Sequence, residues 1–243
     1  MIATEELLWE QVRTRATPEQ VSWLEDAVAS VLGEPESIRR LFPAVGRRAG
    51  RAPLDPAADP ADVHAWTVDD AGRTLLLLAL GDDAGAELDE LYRHGDTAER
   101  RGILRALPYL PVGDAGVALV EDAVRTNELG LIAAALGPYA FARLDDDAVA
   151  QAVLKCVFVG IPLGGLDGLG PRITPHVSRM LAAFVHERVA AGRTVPADVW
   201  PVIDRFPPED ELSEIQAELD HPVAERREAA RAALALRNQQ RST

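Results

Sequence analysis

The sequence predicts an all-α protein built from stacked antiparallel helical hairpins, a HEAT-like α-α superhelix. Three observations predict it. Apolar residues recur at helical spacing along most of the chain. No run alternates apolar and polar residues as a half-buried strand would. The linkers between helical stretches are mostly short, which makes consecutive helices antiparallel neighbours. Composition agrees. Hydrophobic residues make up 47% and aromatics only 5%, so Ala and Leu fill the interior and favour close helix packing.

Near the N-terminus, Val21, Leu24, Val28, Val31 and Leu32 share one helical face. Thr17 caps that helix, Pro18 sits in its first turn and Gly33 follows its end. Residues 46–66 break the pattern with Gly46, Gly50, Pro53, Pro56 and Pro60 and read as a loop or linker. It separates the N-terminal helices, 1–45, from a helical-repeat body, 67–243, with the two packed as one unit. Helices are expected at 67–82, 84–94, 97–107, 114–126, 128–142, 146–160, 173–191, 196–206, 209–219 and 223–239. The clearest apolar stripe is Val177, Met180, Leu181, Phe184, Val185 and Val189. The segment from His221 to Leu234 looks like the second helix of a HEAT repeat.

Charge narrows the partners. The net charge is −14, which repels phosphate backbones and anionic lipids. The basic pairs Arg39-Arg40, Arg47-Arg48 and Arg226-Arg227 are scattered among carboxylates. No nucleic-acid partner and no direct membrane insertion are expected. The N-terminus is acidic and carries no apolar signal region, and no apolar stretch reaches membrane-spanning length. One cysteine, Cys156, excludes an intrachain disulfide. A reduced cytoplasmic compartment is the expected location, and the oligomeric state stays open.

Four segments in order resemble the EboA family, across roughly residues 65–205. They are Leu91-Tyr92-Arg93-His94-Gly95-Asp96-Thr97-Ala98-Glu99-Arg100-Arg101-Gly102-Ile103-Leu104-Arg105-Ala106-Leu107-Pro108; Arg125-Thr126-Asn127 leading to Ala134-Ala135-Leu136-Gly137-Pro138-Tyr139; Gln151-Ala152-Val153-Leu154-Lys155-Cys156-Val157-Phe158-Val159-Gly160-Ile161-Pro162; and Met180-Leu181 through Gly192-Arg193-Thr194-Val195-Pro196 to Trp200. The resemblance implies a bacterial protein encoded beside the enzymes of a small biosynthetic gene cluster. That cluster is associated with a sugar-phosphate cyclase, a membrane prenyltransferase and hydrolase-like proteins, and in some cyanobacteria with export of a pigment precursor. The family pattern implies no catalytic residues.

Several residues have both a structural and a functional reading. In Arg93-His94-Gly95-Asp96-Thr97-Ala98-Glu99, the two basic residues suit a helix C-terminus, and Gly95 suits a left-handed cap. Asp96 and Glu99 then form a capping box. The same Arg93 and His94 could instead bind an anion. Arg125 and Asn127 repeat the ambiguity, with Asn127 a capping or left-handed residue. Lys155 is the one Lys among 25 basic residues. It lies in a helix that is apolar on nearly all faces and so is expected to be buried. There it needs a carboxylate partner, a path to the surface for its head, or a function. Cys156 beside it reads as a small core residue. Asp145-Asp146-Asp147 reads as a helix start; a magnesium-binding role would require a facing acidic pair such as Asp69-Asp70 or Asp82-Asp83. The five histidines show no metal-ligand spacing. There is no nucleophile elbow, P-loop or dinucleotide fingerprint, so no cofactor and no metal are expected.

If the helices alternate up and down, the turns at Gly95 and Asn127 and the segment from Gly160 to Arg172 fall at one end. Arg93, His94, Asp96, Arg125, Asn127, Asp167 and Arg172 would then share a polar rim, with Lys155 beneath it and the glycine-rich segment as a lid. The expected ligand is an anionic or polar small-molecule metabolite, or a pathway protein. The function read from this is an accessory protein of an Ebo-type pathway. The alternative is an enzyme without a recognised motif, acting on a cyclitol- or isoprenoid-derived intermediate.

Overall fold

The structure, a computed structural model, describes residues 2–241. It is all-helical, with no strand among the described residues. The chain divides into two compact units, Met1–Arg143 and Leu144–Thr243.

The first unit contains α1 (Ile2–Arg15), α2 (Pro18–Gly33), α3 (Ile38–Leu41), α4 (Val45–Arg48), α5 (Val68–Ala79), α6 (Ala84–His94), α7 (Thr97–Ala106), α8 (Val117–Arg125), α9 (Leu129–Ala135) and α10 (Pro138–Arg143). The expected Thr17 cap is present: its hydroxyl accepts from Gln20 N, and the Gln20 carbonyl oxygen accepts from Thr17 N at 2.9 Å. Helix α5 is the hub. It packs against α1, α2, α4 and α7, and every residue from Val68 to Leu77 is buried. Helix α7 in turn lies between α5 and α9. The single helix expected over 128–142 is two helices, because Pro138 removes a backbone donor and disfavours helical geometry in the residue before it.

The proline-rich stretch is a closed loop. Leu54 N donates to Trp66 O and Val68 N to Ala52 O, both at 2.8 Å, so Pro53 and Thr67 form an isolated antiparallel bridge at its neck. Inside it, Asp55, Asp59 and Asp62 each accept from the amide two residues on, the turn chemistry that short acidic side chains favour.

A buried ionic network joins α5 to α7. Asp69, Asp70 and Arg73 are fully buried and Arg105 nearly so. Asp70 accepts from Arg105 Nη1 at 2.5 Å, from Arg101 Nε at 2.9 Å and from the Thr67 backbone amide at 3.1 Å. Asp69 accepts from Arg73 Nη1 at 2.6 Å. Arg105 also donates to Ala65 O and Val63 O and lies over the Trp66 ring, which clips the loop onto the helices. Burial pulls the Arg105 guanidinium below its ordinary range, and the Asp70 charge opposes that shift. Arg73 reaches Asp69 because Gly102 of α7 leaves room. A Cβ there would lie 2.8 Å from Arg73 Cδ. Asp69-Asp70, nominated from sequence as half of a metal pair, is engaged with these arginines.

The second unit contains α11 (Asp146–Val159), α12 (Pro175–Ala190), α13 (Trp200–Ile203), α14 (Glu209–Ala217) and α15 (Ala224–Gln240). Its hub is α12, which packs against the other four. A polar cluster holds the C-terminal hairpin to it. His186 Nδ1 lies 3.2 Å from Glu214 and Nε2 3.3 Å from Glu218, and Arg226 Nε donates to Glu218 at 2.7 Å. The Arg226 hydrogen bonds hold the Glu218 carboxyl below the usual range against its burial. A lowered folded-state pKa gives stability that is present above the unfolded value near 4.5 and is lost as pH falls through the folded one. Urea unfolding across acid pH should therefore show the gap between wild type and Glu218→Gln closing as pH drops below about 4.

No helix among the described residues is long and apolar enough to cross a membrane.

Candidate functional site

The site is built on α11 and α12. Asp145 caps α11 by accepting from Ala148 N at 2.8 Å. The helix ends at Gly160, whose φ of 83° is the left-handed geometry that glycine tolerates. Thr174 caps α12, with Pro175 as its first residue. The α11 start matches the reading of Asp145-Asp146-Asp147 as a helix start; the Thr174 cap places the α12 start two residues after the expected 173.

The connection between them does not match the expected alternation. Arg172, at its far end, donates to Leu144 O at 2.8 Å and to Asp146 at 2.9 Å, beside the start of α11. His176, in the first turn of α12, lies 3.9 Å from Asp147. The segment therefore runs back along the full length of α11, and α11 and α12 start at the same end. A helix of 14 residues is about 21 Å long at ~1.5 Å per residue, a span that residues 161–174 cover with slack even with 3-10 turns at Leu163–Gly165 and Gly170–Arg172. So Arg172 lies at the opposite end of α11 from Gly160. The segment is also not a lid: Ile161, Leu163, Leu166 and Leu169 are buried, and Leu163 N donates to Asp198 at 2.7 Å.

On α11, Val149, Ala152, Val153 and Cys156 are buried. The opposite face carries Gln151, Leu154, Lys155 and Phe158. On α12 the inward residues are Val177, Leu181, Val185 and Val189, and the neighbouring face carries Met180, Ala183, Phe184 and Glu187. Those two sets of four line a groove of about 540 Å³, within the ~300–1,000 Å³ typical of small-molecule sites. Each set follows i, i+3, i+4, i+7. Because the helices start together, Lys155 stands level with Phe184, and Phe158 with Glu187. Phe158 is 76% exposed.

Lys155 is thus half-buried in the groove wall rather than sealed inside the fold, as an all-round apolar helix suggested. One face of α11 is simply left uncovered. Arg188 lies over the Phe184 ring at 5.7 Å and adds a second cation beside the groove. Cys156 lies on the packed face. Burial pushes its thiol up to about 12, so at neutral pH it is not a thiolate nucleophile.

The remaining expected site residues are placed as follows. Arg93 pairs with Asp89 at 2.5 Å and His94 lies 3.4 Å from Glu90, all four exposed. Asp96 accepts from Glu99 N at 2.8 Å in the expected capping box. Gly95 is extended, not left-handed. Arg100 instead donates to Gly95 O and Arg93 O and satisfies the carbonyls at that helix end. Arg125 lies 3.7 Å from Asp122. Asn127 has neither expected geometry: Glu128 is the N-cap of α9, and no described non-glycine residue has positive φ. Tyr92 donates to Asp122 at 3.2 Å, so the last turns of α6 and α8 do lie side by side, as expected. Burial and then the Asp122 charge push the Tyr92 hydroxyl up to about 12. Arg93 and Arg125 lie in the first unit, Lys155 and Arg172 in the second. Because the ion pairs of Arg93 and Arg125 are exposed, Arg93→Ala and Arg125→Ala should each change unfolding stability by less than about 0.5 kcal/mol, read from urea midpoints.

Residues 4–204 match the family described as metabolite traffic protein EboA. The chain belongs to the EboA family. No curated protein and no solved structure matches it. The family match includes all of α11 and α12, and so both walls of the groove. All eight lining residues fall in segments that already resembled this family. The apolar stripe that includes Met180 and Phe184 was visible in the sequence; Phe184 is largely buried at the groove wall, 9% exposed.

Proposed function

We propose that this EboA-family chain is an accessory, metabolite-binding protein of a small Ebo-type biosynthetic pathway. Its binding site is the groove between α11 and α12. The observation that carries this reading is the uncovered apolar face around Lys155. Apolar surface left open to water on a helix pair is costly unless something covers it, and one buried-stem cation gives such a site orientation. The family's description as metabolite traffic proteins supports a small molecule as the occupant. We also propose that the hairpins of the first unit stack as HEAT-like repeats, which the position of α7 between α5 and α9 supports.

Native mass spectrometry tests the binding reading. Protein purified from cells carrying the gene cluster should hold a small-molecule mass that denaturation releases. Ala183→Trp, which fills the groove from an exposed position, should lack it while keeping its circular dichroism spectrum. Equal retention by the variant would move the site elsewhere, and no retained mass on wild type would end the reading.

A further inference from the structure

We infer that the groove selects an amphiphilic small molecule with an apolar, ring- or prenyl-sized body and an anionic head, with Lys155 as the group that recognises the head. The inference rests on the metabolite-binding reading and specifies its ligand.

The body follows from the lining. Five of the eight groove residues are apolar: Leu154, Phe158, Met180, Ala183 and Phe184. Phe158 offers a largely exposed aromatic ring, while Phe184, backed by Arg188, lines the groove but is largely buried. Such a wall favours flat or branched hydrocarbon bodies over sugars, which would leave hydroxyls unpaired against it. The volume, about 540 Å³, suits a compact molecule rather than a two-chain lipid.

The head follows from the charges. The chain as a whole carries −14, so a generic surface groove on it would be acidic. This one has Lys155 in its wall and Arg188 behind Phe184, against one carboxylate, Glu187. Glu187 stands level with Phe158, one turn beyond Lys155 toward the C-terminal ends of both helices. A carboxylate, sulfonate or phosphate head is attracted at Lys155 and repelled at Glu187, which fixes which way the molecule lies. A charge-assisted hydrogen bond beside apolar walls is stronger than one in open water.

Two fluorescent probes of nearly equal shape test this on the full chain: anilinonaphthalene sulfonate, which is anionic, and phenylnaphthylamine, which is neutral. Both should bind wild type, and both should be lost in Ala183→Trp. Lys155→Met should weaken the anionic probe by about tenfold or more and leave the neutral probe within about twofold. Lys155→Arg should retain most of the anionic binding, and Glu187→Gln should tighten it. If Lys155→Met weakens both probes alike, or neither, the anionic-head assignment is overturned while the groove remains a binding site. If Ala183→Trp binds both probes as wild type does, the probes sit elsewhere and the groove reading fails with it. If wild type binds neither probe, the ligand class is wrong, and the captured mass from native spectrometry then decides the groove reading separately.

Discussion

Asp70→Ala should destabilise the first unit by about 3–5 kcal/mol, lowering its thermal midpoint by roughly 10 °C or more. The reason is not the loss of one bond. Asp70 is fully buried and accepts from Arg101, Arg105 and the Thr67 amide. Removing it leaves the buried Arg105 guanidinium hydrogen-bonded to carbonyl oxygens only, with its charge offset just by the more distant Asp69 in a low-dielectric interior. The same change frees the Thr67 end of α5 and loosens the clip that Arg105 makes on Val63 and Ala65. Calorimetry should show the drop. Limited proteolysis should show new cleavage across residues 53–66, since that loop loses its anchor. Asp70→Asn keeps the shape but not the charge, and should cost less than alanine while still exposing the loop.

Trp200→Ala should be as damaging in the second unit. Trp200 is fully buried in α13, against α12 and α15, and its loss leaves a large cavity, costing about 3–5 kcal/mol. Arg237 lies over the Trp200 ring at 5.6 Å and donates to Asp204 through both Nε and Nη2. The Arg237–Asp204 pair alone holds α15 poorly without the ring beneath it. Hydrogen exchange should accelerate along Ala224–Gln240 more than along α11, and Trp200→Phe should recover about half of the lost stability.

Helix ends were the most legible part of the fold. Thr17 with Gln20, Asp96 with Glu99, and Asp145 all cap where their spacing says, because a cap is a local contract between a side chain and amides two or three residues on. Long-range pairing was not legible. Asp69 and Asp70 fit the first turn of a helix so well as dipole partners that nothing local signals their burial. Nothing in the spacing of Arg101 and Arg105, four residues apart, signals a buried partner until α5 is placed against α7. The crossover from α11 to α12 misled for a different reason. Its glycines suggested mobility, while its spaced Ile161, Leu163, Leu166 and Leu169 were the signal of a segment packed along its length. That one reversal sets α11 and α12 running the same way, separates Arg172 from Gly160, and creates the groove. Of the residues singled out from sequence, Lys155 lines it. Its neighbours Leu154, Phe158, Met180 and Phe184 carried helical periodicity that serves equally for a core face and a binding face. Only exposure distinguishes the two, and exposure depends on which partner helix is missing.

The central claim is that a small molecule occupies the groove between α11 and α12. Hydrogen-exchange mass spectrometry on protein loaded from cells carrying the gene cluster, against the same protein stripped of ligand, addresses it most directly. Occupancy should slow exchange in peptides spanning Gln151–Phe158 and Met180–Glu187 and leave α6 through α9 unchanged. Protection that appears instead around Arg93 and Arg125, with α11 and α12 unaffected, would contradict it.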